Sequence, residues 1–300
     1  MYFIVYPLLY LFSLLPLFVL YRISDFTAFL MYHVIKYRRD VVRANLTHAF
    51  PEKELKEIIS IEKKFYRNFT DAFIETLKMI SISDRAFSKM ASMDLTEANR
   101  IAATGKSIQF EGGHQFNWEL ANWIISRDMK IPFVGVYHAL HNKAFDKIMY
   151  DLRAKKGTRL VSTKEFKNRM HKLLETQYSI GLAADQNPND AGKAYWIMFF
   201  GRPVPFVHGP ERSAVQRNNA VIFVKQIKLS RGKYRFDTKV ITENGAEWKD
   251  GDLTKAYRDL LEETIREQPD NYLWSHRRWK WEYRDDFKDR WFEKESPYVN

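Results

Sequence analysis

Three hundred residues, 45% hydrophobic and 28% charged, are enough to bury a sizeable core and exclude a low-complexity or disordered chain. The absence of cysteine excludes a disulfide framework, a thiolate nucleophile and a cysteine-based metal site. Lys plus Arg exceed Asp plus Glu by 48 to 37, and the net charge of +11 points to an anionic partner: nucleic acid, a phospholipid surface or an acidic protein.

The first segment, YFIVYPLLYLFSLLPLFVLY (2 to 21), carries no charge. As one helix it would run about 30 Å, the hydrocarbon thickness of a bilayer. It lacks the basic n-region and small-residue cleavage site of a secretory signal. Pro7 and Pro16 suit a membrane helix better than a soluble one. The competing reading is a buried core helix. We expect residues 1–22 to form a transmembrane or membrane-embedded anchor helix, and residues 23–300 to form one domain. Arg22, Lys36, Arg38, Arg39 and Arg43 follow the anchor, which places that domain on the cytoplasmic side. At a whole-chain mean hydropathy of −0.45, no further span is expected.

Residues 25 to 37 (DFTAFLMYHVIKY) read as an amphipathic helix suited to a membrane interface. Within 46 to 80, Pro51 and the acids behind it open a long helix. Its apolar stripe is Ile58, Ile61, Phe65, Phe69, Phe73 and Leu77. From about 106 strands and helices alternate. KSIQFEGG, IPFVGVY, TRLVS and SIGLAADQ read as strands, with helices over 116–127, 143–157 and 164–177 between them. This order predicts an α/β fold, a sheet covered on its faces by helices. Residues 220 to 241 read as two antiparallel strands about a glycine turn, and LTKAYRDLLEETIREQP as a closing helix.

Several motifs carry less than they promise. TGKS (104 to 107) imitates the end of a phosphate loop, but Arg100 occupies the position of its first glycine and the segment leads into a strand. No HExxH, calcium loop or histidine cluster is present, so no metal is expected. LWSHRRWKW (273 to 281) mixes rings with cations. We expect Trp274 and Trp279 to pack in the core with Arg277 and Arg278 solvated, ahead of a membrane-interface role and well ahead of nucleic-acid binding.

FEGGHQFNWELANW (110 to 123) is different. His114 stands where a strand ends, glycines turn the chain and a helix begins near 115 or 116. Glycines admit close backbone approach, and a helix N-terminus presents unpaired N–H groups to a developing oxyanion. Glu119, five positions on, is placed to bond one imidazole nitrogen and leave the other to take a proton. The bland alternative is a helix-capping histidine beside a solvated glutamate.

The chain carries YRRDVVRANLTHAFPEK (37 to 53), GGHQFNWE, LAADQN (182 to 187), FFGRPVPFVHGPERSA (199 to 214) and YLWSHRRWK (272 to 280) in that order. With them it resembles the bacterial lipid A late (lauroyl/myristoyl) acyltransferase family, within the wider H-x4-D/E glycerolipid acyltransferase superfamily. The resemblance implies a mixed central sheet flanked by helices behind the N-terminal anchor. It implies acyl transfer from acyl carrier protein, or coenzyme A, to a hydroxyl of a lipid acceptor at the cytoplasmic face of the bacterial inner membrane, with no cofactor. Carried over by position, His114 is the general base, and Glu119 orients and charges it. Many members carry Arg where VYHAL places His138, which puts the acceptor or its mode of binding in question. Arg153 falls on a basic position of the family's next helix as an anion contact. Asp185 and Gln186 end a strand on the side of the sheet expected to hold His114, as site residues or as a structural turn. Glu211 and Arg212 read equally well as an internal ion pair. Residues 143 to 172 hold ten Lys/Arg against three acids, a dock for an acidic carrier protein or for anionic lipid. Two alternatives remain: the same chemistry on a glycerophospholipid or amino-acid lipid, and a non-catalytic lipid-binding protein.

Overall fold

The computed structural model describes residues 1–294 and 296–298; the Lys167 side chain lies outside the described part. The apolar N-terminal segment folds as two helices, α1 (Tyr2–Leu14) and α2 (Leu17–Phe29), the second extended by a π turn over Leu30–Val34. The two axes are bent by 112° at the break, and among the described residues no single helix is long and apolar enough to cross a membrane. The cause is local. Leu15 precedes Pro16, whose ring forces its neighbour out of the helical region, and Leu15 is extended at φ −55°, ψ 144°. One straight helix over 2–21 is therefore replaced by a bent pair, and the amphipathic segment expected from 25 is the continuation of α2.

The long helix expected to open at Pro51 is α4 (Leu55–Lys78), and a separate helix, α3 (Arg39–Ala49), precedes it across Pro51. Glu54 and Glu57 form a capping box that satisfies the first amides of α4. Its stripe buries Ile58 and Phe65, whereas Phe73 is 60% exposed. The inward face also carries Glu62, Asp71 and Glu75, all fully buried. Arg43 pairs with Glu62 at 2.5 Å, and Arg231 with Asp71 at 2.6 Å. Charges are kept inside a fold only when so partnered.

Helix α5 (Asp84–Met90), the short strand β1 (Ala91–Met93) and helix α6 (Thr96–Ala103) follow, none of them signalled by the sequence pattern. The alternation then runs as expected: β2 (Ile108–Gly112), α7 (Trp118–Asp128), β3 (Phe133–Tyr137), α8 (Lys143–Ala154), β4 (Arg159–Ser162), α9 (Thr163–Leu173) and β5 (Ser179–Ala183). A hairpin of β6 (Tyr195–Phe199) and β7 (Arg202–Phe206) forms a separate two-stranded sheet, and α10 (Gly209–Arg217) leads on. Strands β8 (Ala220–Ser230) and β9 (Lys233–Thr242) are the antiparallel pair expected about Gly232, which holds φ +75°. Helix α11 (Asp252–Glu267) closes the layer.

The main sheet has seven strands in the order β1-β9-β8-β2-β5-β3-β4. Only β8 with β9 is antiparallel; the other pairings are parallel. The sheet is mixed and helix-covered, as expected. Neighbouring β2, β5 and β3 therefore end on the same edge, where an open α/β sheet builds its crevice.

Candidate active site

The register of β2 with β5 aligns Gly112 with Ala183. His114 lies two residues beyond the one and Asp185 two beyond the other, so the sheet delivers them side by side. Asp185 Oδ1 lies 2.6 Å from His114 Nδ1, and Oδ2 accepts the His114 backbone N–H at 3.0 Å. Burial alone would raise the Asp185 carboxyl, but the His114 charge, its two hydrogen bonds and the Tyr272 hydroxyl bring it down to about 2. An ionised acceptor at pH 7 fixes the proton on Nδ1 and leaves the lone pair on Nε2. For His114 itself burial disfavours the charged ring; the Asp185 charge and hydrogen bond outweigh this, and its pKa is raised.

The loop that carries the histidine is held from several sides. A Cβ on Gly113 would overlap the Leu261 side chain and come within 2.8 Å of Gln115 Oε1, so glycine is required there by space. Helix α7 starts at Trp118, later than expected, and its N-cap Asn117 stands in the left-handed region at φ 72°. The Asn117 amide donates to Glu75 Oε2, which also accepts from the Tyr234 hydroxyl at 2.9 Å; Glu75 Oε1 accepts from Tyr21 at 2.7 Å. From the C-terminal side, the Leu273 N–H donates to the His114 carbonyl at 3.1 Å and Gln115 forms a β-bridge with Tyr272. The YLWSHRRWK stretch is thus a clamp on this loop.

Glu119 does not bond the imidazole. Its carboxylate accepts Arg153 Nε at 3.0 Å on both oxygens and Nη2 at 2.5 Å on Oε1, with the Trp118 indole N–H at 3.1 Å. Glu119 is the first-turn acid of α7 and Arg153 the last-turn base of α8, each at the helix end that favours its charge. The pair is nearly buried, at 7% and 21% side-chain exposure. The direct Glu119–His114 contact expected from spacing is therefore corrected: the delayed helix start turns Glu119 toward α8, and the carboxylate on Nδ1 is Asp185.

His114, Glu119, Arg153 and His138 all line one cavity of about 410 Å³, within the usual size of a ligand pocket, roughly 300–1,000 Å³. Its walls below the histidine are largely apolar and include Phe110, Ile125, Phe133 and Leu160. Gly135 and Gly181 also line it, and they are paired in register on β3 and β5. A Cβ at Gly135 would come within 3.0 Å of Thr158 and 3.1 Å of Leu160, and one at Gly181 within 2.9 Å of the Phe133 ring, so the glycines let those side chains pack against the strands. His138 is exposed after β3, its Nδ1 2.6 Å from Thr163 Oγ1. Gln186 is half-buried beside Asp185 and is not among the residues lining the cavity.

Sequence reasoning missed Asn117, Glu75 and Tyr272 as supports of the site. The signal for Tyr272 was the noted aromatic-basic stretch; Glu75 lies outside the apolar stripe read for α4, and no local pattern marked it. Arg278, expected to be solvated, is 1% exposed, with its guanidinium 4.3 Å over the Phe206 ring and Nη1 donating to Asn187 Oδ1 at 3.1 Å. Burial brings it down to about 10. Arg277 is exposed and Trp274 is buried, as expected; Trp279 is half-buried and packs against the core. Glu211 does not pair with Arg212 but accepts the Gly251 and Thr254 N–H groups, capping α11.

No curated protein matches the chain. A family model described as bacterial lipid A biosynthesis acyltransferase matches residues 1–281. A match over nearly the whole chain, around a histidine facing an apolar cavity, decides the assignment: this chain belongs to the bacterial lipid A biosynthesis acyltransferase family, whose members transfer acyl groups from an acyl donor to a lipid acceptor.

Proposed function

We propose that the protein moves a fatty acyl chain from an acyl carrier protein thioester, or a coenzyme A thioester, to a hydroxyl of a lipid A precursor at the cytoplasmic face of the bacterial inner membrane. The observation that carries this reading is the His114–Asp185 pair at the head of an apolar cavity. Nε2 takes the proton of the acceptor hydroxyl as its oxygen attacks the thioester carbonyl. The tetrahedral intermediate collapses, the sulfur leaves, and the imidazolium returns the proton to it. Asp185 steadies the charge on the ring in between. Glu119 holds Arg153 in the cavity wall, where the guanidinium faces the oxygens of the donor or acceptor. The acyl chain lies along the apolar walls past Gly135 and Gly181. A donor already activated as a thioester supplies the driving force, so no cofactor has a role in these steps.

The cationic stretch from 143 to 172 suits an acidic carrier. Lys155 donates to the Ile80 carbonyl and Lys156 pairs with Asp84, so both serve the fold. Lys164 and Lys172 of α9 are exposed and are the better docking residues. His138, at the mouth, motivates a second reading, the same chemistry on a glycerophospholipid or amino-acid lipid. Mass spectrometry of lipids from cells with and without the protein separates the two: a missing acyl chain on lipid A supports the first, and unchanged lipid A with an altered second lipid supports the other. His114→Ala should lower turnover about 10²- to 10⁴-fold; unchanged turnover with a folded variant removes the histidine from the mechanism.

A further inference from the structure

Trp118 opens α7 directly after the left-handed Asn117, and its indole lies back against the loop it follows. The indole and the His114 imidazole meet edge to face, with ring centroids 5.6 Å apart and planes at 71°. Trp118 is 39% exposed and lines the cavity, so core packing does not account for its place. Its orientation is nonetheless fixed. The indole N–H donates to Glu119 Oε1 at 3.1 Å, and Arg153 grips the same carboxylate from α8. An acceptor on that N–H also polarises the indole and leaves electron density on its ring. Glu119, which does not touch the imidazole, thus bears on it through its neighbour's ring, and Glu119→Gln would keep an oxygen in that place.

The proposed reaction puts a positive charge on His114 only between uptake of the hydroxyl proton and its return to the leaving sulfur. A cation within about 6 Å of an aromatic centroid is drawn to the ring's negative face, most strongly for tryptophan. We infer that Trp118 stabilises the imidazolium of His114 by a cation–π contact, and so acts on the reaction through the histidine. The neutral imidazole gains far less from the indole. The contact therefore strengthens as charge develops, which lowers the barrier rather than tightening ground-state binding. It adds to a field already present. Asp185 bonds Nδ1, and the Tyr272 hydroxyl bonds Asp185. Tyr257 and Arg278 stand near that carboxylate, and burial holds His276 neutral, at about 4. Arg153, paired with Glu119, and His138 line the cavity. Among these groups an aromatic face attracts the imidazolium without adding net charge to a cavity that must admit the oxygens of donor and acceptor. The inference rests on the reading of His114 as the base and names a second participant in its step.

The full-length protein with isotope-labelled histidine is titrated by NMR, the His114 signal being the one that His114→Gln removes. Over the same pH range, kcat and KM are measured with lauroyl-coenzyme A as donor and a lipid A precursor as acceptor. Trp118→Leu should lower both the His114 titration and the acid limb of kcat by about one unit, and kcat itself about tenfold. Trp118→Phe should recover part of each. Tryptophans carrying one, two or three ring fluorines, inserted at position 118 alone, keep the shape and the indole N–H but draw density from the face. With them the titration and kcat should fall stepwise as fluorine is added. A titration unmoved across the fluorinated series overturns the inference. So does Trp118→Leu with raised KM but unchanged kcat and limb, which makes the indole a wall of the cavity. Failure of the underlying reading looks different: His114→Gln stays active while the titration still falls with fluorine, which leaves the contact standing and overturns its use in catalysis.

Discussion

At the scale of single residues, the histidine and its two carboxylate neighbours divide the work. Asp185 touches Nδ1, whereas Glu119 touches Arg153, so their replacement has different signatures. The raised His114 pKa means the ring is protonated, and unable to act as base, over a wider acidic range than a free imidazole. kcat/KM should fall as pH drops through a value above 6.5. Asp185→Asn removes the charge that favours the imidazolium, so that limb should move to lower pH while turnover falls about a hundredfold or more. A limb left in place in Asp185→Asn would show that this carboxylate does not govern the base. Glu119→Gln should leave the limb where it is and raise KM, because what it frees is Arg153 in the cavity wall.

Elements decide where these residues stand. The left-handed Asn117 and the spatially constrained Gly113 bracket the histidine, and both depend on α4, α11 and the strand β9. Glu75→Ala leaves three donors, on Tyr21, Asn117 and Tyr234, without their buried acceptor. It should lower unfolding free energy by at least about 2 kcal/mol in urea titration. Stability unchanged within error would mean that water replaces the carboxylate. The glycine pair of β3 and β5 fixes where Leu160 and Phe133, which line the cavity below the histidine, can pack. Gly135→Leu should shift donor preference to shorter acyl chains in a competition assay, while His114 chemistry on a short donor persists. An unaltered chain-length profile would take the acyl group out of this cavity.

For the molecule as a whole, charge and apolarity are arranged at its surface. On the proposed reading, the exposed cations of α9 are the dock for an acidic carrier. Lys164→Glu with Lys172→Glu should raise KM for a carrier-bound donor and spare a coenzyme A thioester. Equal losses with both donors would assign that charge to lipid instead. The effect should weaken with added salt, since exposed charges are screened within about 10 Å at 0.1 M.

Much was legible in one dimension. The apolar runs and glycine stops gave β2, β3, β4 and β5 in place, because buried parallel strands are written as short hydrophobic stretches. The glycine turn of β8 and β9 and the closing α11 were equally plain. His114 was legible as a junction residue, since strand end, glycines and helix start are all local features. Its partner was not. Spacing along the chain nominated Glu119, yet which carboxylate meets the ring depends on the register of β2 with β5, set by hydrogen bonds between residues some 70 apart in sequence. Nor could composition tell one membrane span from two helices lying against the body: the uncharged run reads the same either way. What the chain by itself determined was its alternation, its reactive junction and its greasy leading segment, all properties of neighbours along the backbone. Tertiary structure alone decided the Asp185 partner and the burial of Arg278, because each rests on groups that only folding brings within reach.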